Sequence, residues 1–201
     1  MKTLSVRQPL AHLLCAGVKD IDNRTWKLPE KYKGETVLIH ASAKSANFWK
    51  TPKAFIVHKE LAKIPIHEFD RTTRLYSAII GSVRFVDCVI NHPSIWAEKT
   101  EVYNEWCKAN GCENYIEWST GHGDCVSCKI VGQSYNIDTI AERCLFKKNA
   151  KKPVYNWVVA DPILFDKPIL NVKGKLSFWD YDLPDEYVKL INDYDNGKKD
   201  L

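Results

Sequence analysis

The sequence has no run of eighteen apolar residues, which is the length that a helix needs to cross a bilayer. Its start also lacks the basic end, apolar core and cleavage site of an export signal, because Lys2, Arg7 and His12 interrupt it. These absences argue against membrane insertion and secretion. We therefore expect a soluble, cytoplasmic protein that does not associate with membranes.

The seven cysteines are an odd number and do not show the spacing of a secreted disulfide framework, which favours reduced thiols. Four of them could form a zinc site: Cys107 and Cys112 are separated by four residues, and Cys125 and Cys128 by two. Only the second pair has a preferred ligand spacing. Ordinary thiols are the better interpretation, so we expect neither a metal nor another cofactor.

Length and charge limit the fold and the partners. A chain of 201 residues with 45% hydrophobic content can bury one good core, or a core with a large insertion. Residues 1–91 contain 15 Lys and Arg against 8 Asp and Glu, whereas residues 92–152 contain 8 against 8 and residues 153–201 contain 6 against 9. A basic excess confined to the first part favours a polyanionic partner there, although lysines that merely solvate a surface would give the same pattern.

The first twenty-six residues predict a strand, a short helix and a second strand. Thr3 to Val6 alternates like a strand, Leu10, Leu13 and Leu14 form one apolar helical stripe, and Gly17 can end the helix. Charged residues then follow at Lys19, Asp22 and Arg24, ahead of Trp26. An exposed cluster of ion pairs is the alternative interpretation of these charges.

The rest of the chain predicts more strands and several helices. We expect strands at Glu35 to Ala41, Ser77 to Ile90 with a bend at Gly81, Val154 to Ala160 and Leu176 to Tyr181. Helices are predicted from Ala43 after Ser42, from Thr51 to about Lys63, and from Asp185 to Asp195. Residues 92–152 read as an α-rich insertion, with helices at Pro93 to Asn110 and Ile137 to Lys148.

Six separated blocks carry a family pattern: LSVRQP (Leu4 to Pro9), GVKDIDNR (Gly17 to Arg24), KGETVLIHAS (Lys33 to Ser42), AIIGSVRFVDC (Ala78 to Cys88), VYNW (Val154 to Trp157) and GKLSFW (Gly174 to Trp179). These blocks resemble the ASCH domain family, whose fold is similar to that of PUA domains. The family motif Gly-x-Lys-x-x-Glu-x-Arg is matched by GVKDIDNR, with Asp22 where glutamate is usual. The resemblance implies an α+β fold, a small PUA-like β-barrel with flanking helices, in a single domain over residues 1–201 that carries the insertion at about 92–152.

The resemblance also implies a cleft at the start of the barrel. The residues expected there are Arg7, Gln8, Lys19, Asp22, Arg24, Trp26, His40 and Ser42. Arginine and glutamine read base edges or clamp phosphate, and exposed indole rings stack on single-stranded bases. We predict that Lys19, Asp22 and Arg24 converge on one concave surface with Arg7 and His40 at its rim. A buried core histidine and packed tryptophans are the alternatives for His40 and Trp26.

Three functions fit these features. The leading hypothesis is a protein that binds RNA or a modified nucleobase in the basic cleft. The second is an amide hydrolase or nuclease, because one branch of the ASCH family uses the motif lysine with a threonine, at the place of Asp22, to hydrolyse acylated cytidine nucleosides. Lys19 and Asp22 would then be the catalytic residues. The third is a protein-interaction module, with the aromatic residues of the insertion contacting a protein partner.

Overall fold

The computed structural model describes residues 1–47, 54–63, 74–100 and 153–197. The predicted strands and the C-terminal helix are present with shifted ends, and a 3₁₀ turn covers Glu30–Tyr32. None of the helices in these ranges is long and apolar enough to cross a membrane. The elements are β1 (Lys2–Val6), α1 (Leu10–Cys15), β2 (Ile21–Arg24), β3 (Thr36–Ala41), α2 (Ala54–Leu61), β4 (Ala78–Val89), β5 (Tyr155–Ile169), β6 (Phe178–Asp180) and α3 (Asp185–Gly197).

The described strands form one mixed sheet in the order β2-β5-β4-β3-β1-β6. Strands β1 and β3 are parallel, whereas β1 pairs with β6, β2 with β5 and β3 with β4 in antiparallel fashion. A mixed sheet with a few helices is the α+β class that we expected. The described chain divides into two compact units. The first contains the described residues within Met1–Asp20, Gly34–Phe85 and Val159–Leu201, and the second contains those within Ile21–Lys33 and Val86–Val158.

Helix α1 in the first unit ends as the sequence predicted, at Gly17. The amide of Val18 donates to the Leu13 carbonyl at 3.0 Å and the amide of Gly17 to the Leu14 carbonyl at 3.1 Å. This pair of bonds is a Schellman motif, which requires a left-handed residue, and Gly17 has φ +72°. The amide of Lys19 also donates to the Leu13 carbonyl, at 2.9 Å, so the backbone of Lys19 is fixed by the helix end.

Strand β4 contains the irregularity expected near Gly81. Ile39 of β3 pairs with Gly81, but His40 pairs with Ile79, so Ile80 is an extra residue. Gly81 also lies where the chain is crowded, because a Cβ atom there would lie 2.9 Å from the Cys15 sulfur and would overlap the Ile163 carbonyl oxygen. Glycine therefore allows α1 and β5 to approach β4 closely.

One apolar cluster of the first unit lies under α3. Strands β3, β4, β5 and β6 contribute to it, and Ile191 of α3 is only 3% exposed. Tyr187 and Val188 of the same helix pack against its edge. The buried members of this cluster are Leu38, Ile79, Phe165, Val172, Trp179, Leu183 and Ile191.

Two helix predictions are wrong in their described parts. Residues 43–47 are not helical, because the Ser42 hydroxyl donates to the Lys44 carbonyl at 3.0 Å instead of accepting a helical amide. The predicted helix Pro93 to Asn110 is also absent over residues 93–100, which form turns and extended chain. Residues 101–110 and the predicted helix Ile137 to Lys148 lie outside the described residues.

Asparagine side chains explain why residues 93–100 in the second unit are not helical. The Asn23 amide donates to the Trp96 carbonyl at 2.9 Å, and the Asn156 amide donates to the Glu98 carbonyl at 3.1 Å. Asn91 bonds both backbone groups of Thr100, at 2.7 and 3.1 Å. These asparagine side chains bond the carbonyls and amides that a helix would pair with each other. Residues 93–100 are therefore held against the strands in a non-helical conformation.

Candidate functional site

Strand β2 in the second unit presents two chemically different faces. Side chains alternate along a strand, so Ile21 and Asn23 lie on one face and Asp22 and Arg24 on the other. On the first face, the Asn156 side chain of β5 donates to the side-chain oxygen of Asn23 at 2.9 Å. Asp22 stands opposite Trp157 of β5 on the second face. The strand therefore separates a buried amide network from a charged and aromatic face.

The charged face holds a fixed arginine. Arg24 Nε donates to Asp22 Oδ2 at 2.7 Å, and the Asp22 side chain is only 8% exposed. The guanidinium carbon of Arg24 lies 5.6 Å from the Trp157 ring centroid, a cation–π distance. Two partners thus orient Arg24, one through charge and one through its aromatic face.

Trp26 completes this cluster, which we call the indole site (Asp22, Arg24, Trp26 and Trp157). The Trp26 and Trp157 rings meet edge to face, with centroids 4.4 Å apart and an interplanar angle of 88°. The Trp157 indole N–H donates to the Trp26 carbonyl at 3.1 Å. Trp157 is fully buried whereas Trp26 is only half-buried, so Trp26 is the residue of this pair that keeps surface open to solvent.

The other expected residues lie in the first unit, and several are held by protein hydrogen bonds. Gln8 is 1% exposed, donates to the Leu75 carbonyl at 3.1 Å and accepts from the His12 amide at 3.1 Å. His40 is also 1% exposed, and Ser42 bonds Lys44. Arg7 is exposed directly before α1. These contacts favour a structural role for Gln8.

His40 has a protein partner at each ring nitrogen. Its Nδ1 lies 3.1 Å from the Ser5 hydroxyl, and its Nε2 lies 2.9 Å from the Val172 carbonyl oxygen. Burial lowers the pKa of His40, and the hydrogen bond to Val172 opposes that shift. The ring is therefore the satisfied core histidine that the sequence left open as an alternative.

Lys19 is unusual because its side chain is buried. The residue is 4% exposed, whereas lysine is almost never buried to this extent without a partner. Asp22 has Arg24 as its close ion partner, at 2.7 Å. The carboxylate that the sequence placed beside Lys19 forms an ion pair with Arg24.

The sequence did not identify Trp157, Ser5 or Asn156 as important. Trp157 and Asn156 lie in the VYNW block, and Ser5 in the LSVRQP block, so their positions within family-like blocks were the available signal. Among the described residues, no group of His, Cys, Asp and Glu side chains could hold a metal ion. The candidate zinc ligands Cys107, Cys112, Cys125 and Cys128 lie outside those residues.

Comparisons with known proteins give matches among solved structures. No family model matches the sequence. No curated protein matches it significantly either. Among the solved structures, the chain is similar to ASCH from Zymomonas mobilis, with a TM-score of 0.40 and 12% identity over 95% of this chain and 93% of the other.

Two single-residue variants of that bacterial protein give similar values. A variant with phenylalanine in place of a tyrosine matches with a TM-score of 0.39 and 11% identity over 95% of this chain and 96% of the other. A variant with alanine in place of a serine matches with a TM-score of 0.40 and 11% identity over 95% and 94%. At such identities and TM-scores the similarity assigns no activity to this chain. The α+β class expected from the sequence rests on the mixed sheet and the helices described above.

Proposed function

We propose that the protein binds single-stranded RNA or a modified nucleobase at the indole site. The observation that carries this proposal is the fixed, half-buried ring of Trp26 beside an arginine that Asp22 and Trp157 orient. Bases of single strands stack on aromatic rings, and arginine binds phosphate or base edges through a planar group. A ring and a guanidinium that are already positioned lose little freedom on binding.

The charge distribution supports an anionic partner. The excess of seven basic residues lies within residues 1–91, which include β2 and Trp26. Each phosphate that a single strand places on such a surface releases counterions. Affinity should then fall by about 0.7 log units per log unit of salt for each phosphate neutralised.

Fluorescence anisotropy with a labelled single-stranded RNA tests the proposal. Trp26→Ala should weaken binding by about 1–3 kcal/mol through the lost stacking surface, and Trp26→Phe should keep most of it. Arg24→Gln should weaken binding more than Lys31→Gln, which removes the same charge from the same unit. Lys31 is exposed and lies over Tyr32, 5.0 Å from its ring centroid, so it is a matched control.

Equal losses for Arg24→Gln and Lys31→Gln would mean that charge alone drives binding and would reject the site. Undetectable RNA binding at low ionic strength would exclude single-stranded RNA as the ligand. A thermal-shift screen with nucleosides, including modified ones, then tests the nucleobase, because stabilisation grows with ligand concentration over the dissociation constant.

The hydrolase remains the second candidate because Lys19 is 4% exposed. A lysine amine held at a buried site can act as a base or nucleophile once it has lost its proton. Incubation with an acylated nucleoside and chromatography of the products test this reaction. Lys19→Arg keeps the charge but removes the basic amine, so it should abolish hydrolysis and preserve binding. No turnover by the unaltered protein would reject the enzyme.

The third hypothesis, an interaction module, concerns the insertion. Its aromatic residues between 101 and 152 lie outside the described residues, so it stays a prediction.

A further inference from the structure

A short segment between β5 and β6 lies across β1 and β3 in the first unit. We call Val172–Lys175 the strap. The Val172 carbonyl oxygen lies 2.9 Å from His40 Nε2, and the Lys175 carbonyl oxygen accepts from the Ser5 hydroxyl at 3.0 Å. Ser5 also lies 3.1 Å from His40 Nδ1. Three contacts between hydrogen-bonding atoms therefore connect the strap, Ser5 and His40 in a chain.

The number of protons on these groups decides how many contacts are hydrogen bonds. Both carbonyl oxygens can only accept, and the Ser5 hydroxyl carries one proton. A neutral His40 adds one more proton, which gives two protons for three contacts. An imidazolium adds two, which gives one proton for each contact. The complete set of bonds therefore requires a protonated ring.

We propose that protonation of His40 closes the Lys175 end of the strap onto Ser5, so that the strap is a proton-dependent clasp on the sheet. In the neutral ring the proton lies on Nε2, because otherwise the Nε2 lone pair would face the Val172 oxygen at 2.9 Å. Nδ1 then accepts the Ser5 proton, and the Lys175 carbonyl has no donor from Ser5. The Val172 end stays bonded in both states, and the Lys175 end is released in the neutral state.

Close packing holds the strap against His40 and Ser5. A Cβ atom on Gly174 would lie 2.7 Å from His40 Nδ1 and 3.0 Å from the Ser5 oxygen, so only glycine lets the strap pass here. Trp179 of β6 meets the His40 ring edge to face at 5.7 Å. The ring is thus enclosed by β1, β6 and the strap.

The charged groups of these elements do not favour the imidazolium. The strap carries Lys173 and Lys175, and Lys175 Nζ lies 5.7 Å from the Trp179 ring centroid. The Asp180 carboxylate of β6 is paired with Lys2 at 2.7 Å. On β4, the partner of His40 is the apolar Ile79. Burial lowers the pKa of His40, so the open clasp is the neutral-pH state and the closed clasp forms on acidification.

NMR titration of the isotope-labelled protein tests the clasp. At about pH 8, above the usual histidine pKa, the His40 ring should be the Nε2–H tautomer. On acidification, the Leu176 amide, which follows the Lys175 carbonyl in the chain, should shift with the same midpoint as the His40 ring. The Val172 end should change less.

Two variants of Ser5 separate the clasp from simple packing. Ser5→Ala removes the acceptor for the second imidazolium proton, so the His40 midpoint should move to lower pH and the Leu176 amide should stop following it. Ser5→Thr keeps a hydroxyl and should restore both effects. The proposal is overturned by an Nδ1–H tautomer at high pH, by a Leu176 amide that ignores the ring in the unaltered protein, or by an unchanged midpoint in Ser5→Ala. The first two outcomes need no variant, so the test holds even if a variant fails to fold.

Discussion

At the scale of single residues, Gly174 shows how little space the strap leaves. A Cβ atom there would overlap His40 Cε1. The buried His40 ring is not the free end of a flexible side chain, so it cannot move aside easily. We expect Gly174→Ala to lower the free energy of unfolding by about 1–3 kcal/mol, the usual cost of overpacking. Urea denaturation would measure it. Gly197→Ala is the matched control, because a Cβ atom at that helix end meets nothing within 4 Å; equal effects would contradict the crowding.

His40 makes the stability of the fold depend on pH. The pKa of a histidine in an unfolded chain is about 6.5, and burial lowers it in the folded protein. The folded protein then binds fewer protons, so stability is full above about pH 6.5 and falls as the pH drops below it. Urea denaturation between about pH 8 and pH 5 should show this fall, and His40→Gln should reduce its slope. An unchanged slope in His40→Gln would contradict it.

Three residues of the indole site, Asp22, Arg24 and Trp26, were candidates in the sequence, whereas Trp157 was not. Alternation along β2 placed Asp22 and Arg24 on one face, and the structure joins them. Trp157 could not be foreseen as their neighbour, because it comes far later in the chain and the β2–β5 register decides the contact. The sequence shows that Asp22 is charged. That Asp22 forms an ion pair with Arg24 is visible only from the distance in the structure.

At the scale of elements, one arginine joins α3 to the sheet. Arg84 of β4 contacts Asp195 of α3 at 2.9 Å and Asp161 of β5 at 3.0 Å, and it donates to the Gly34 carbonyl at 3.2 Å. The Asp161 contact is an ion pair without hydrogen-bond alignment. The planar guanidinium thus reaches three segments of chain, which a single ammonium group cannot do.

Arg84→Lys should therefore destabilise the protein although the charge is kept. We expect a loss of about 1–2 kcal/mol in the free energy of unfolding, because at least one charged hydrogen bond is removed. Hydrogen exchange of α3 should rise at the same time, since the helix loses its contact through Asp195. Arg7→Lys, an exposed change of the same kind, should leave both measurements unaltered. Unchanged exchange in Arg84→Lys would show that apolar packing alone holds α3.

Element ends were less predictable than element types. Strand β5 was expected to stop at Ala160 but continues to Ile169, although Pro162 and Pro168 argue against a strand. Asp161 has φ +49°, so the strand passes an irregular residue before the first proline. Local propensity could not reveal this continuation, because pairing with distant segments decides where a strand ends.

At the scale of the whole molecule, the two described segments that flank residues 101–152 lie side by side. The Thr100 hydroxyl donates to the Val154 carbonyl at 3.2 Å and accepts from the Val154 amide at 2.8 Å. The chain on either side of residues 101–152 is therefore joined by side chain and backbone bonds that do not involve those residues. Asn91 supports this closure by bonding both backbone groups of Thr100.

Removal of residues 101–152 should leave the described fold intact. A short Gly-Ser linker can span the closed ends, because the distance between hydrogen-bonded residues is small and loop closure costs little. We expect cooperative thermal unfolding of the shortened chain, measured by circular dichroism. Thr100→Val in that chain opens the closure and should lower its midpoint. Loss of cooperative unfolding after deletion alone would show that the insertion is part of the folding unit.

The close approach of Cys15 to Gly81 allows the separation of α1 from the sheet to be measured. The Cys15 thiol is 2% exposed, and burial raises its pKa, so the reactive thiolate is scarce while α1 covers β4. Cys88 is half-buried and provides an internal comparison. With the five cysteines outside the described residues replaced by serine, the rate of Cys15 alkylation should be proportional to the fraction of molecules in which α1 is separated from the sheet. A ligand that binds only the closed state of the first unit would slow this reaction in proportion to its stabilisation of that state.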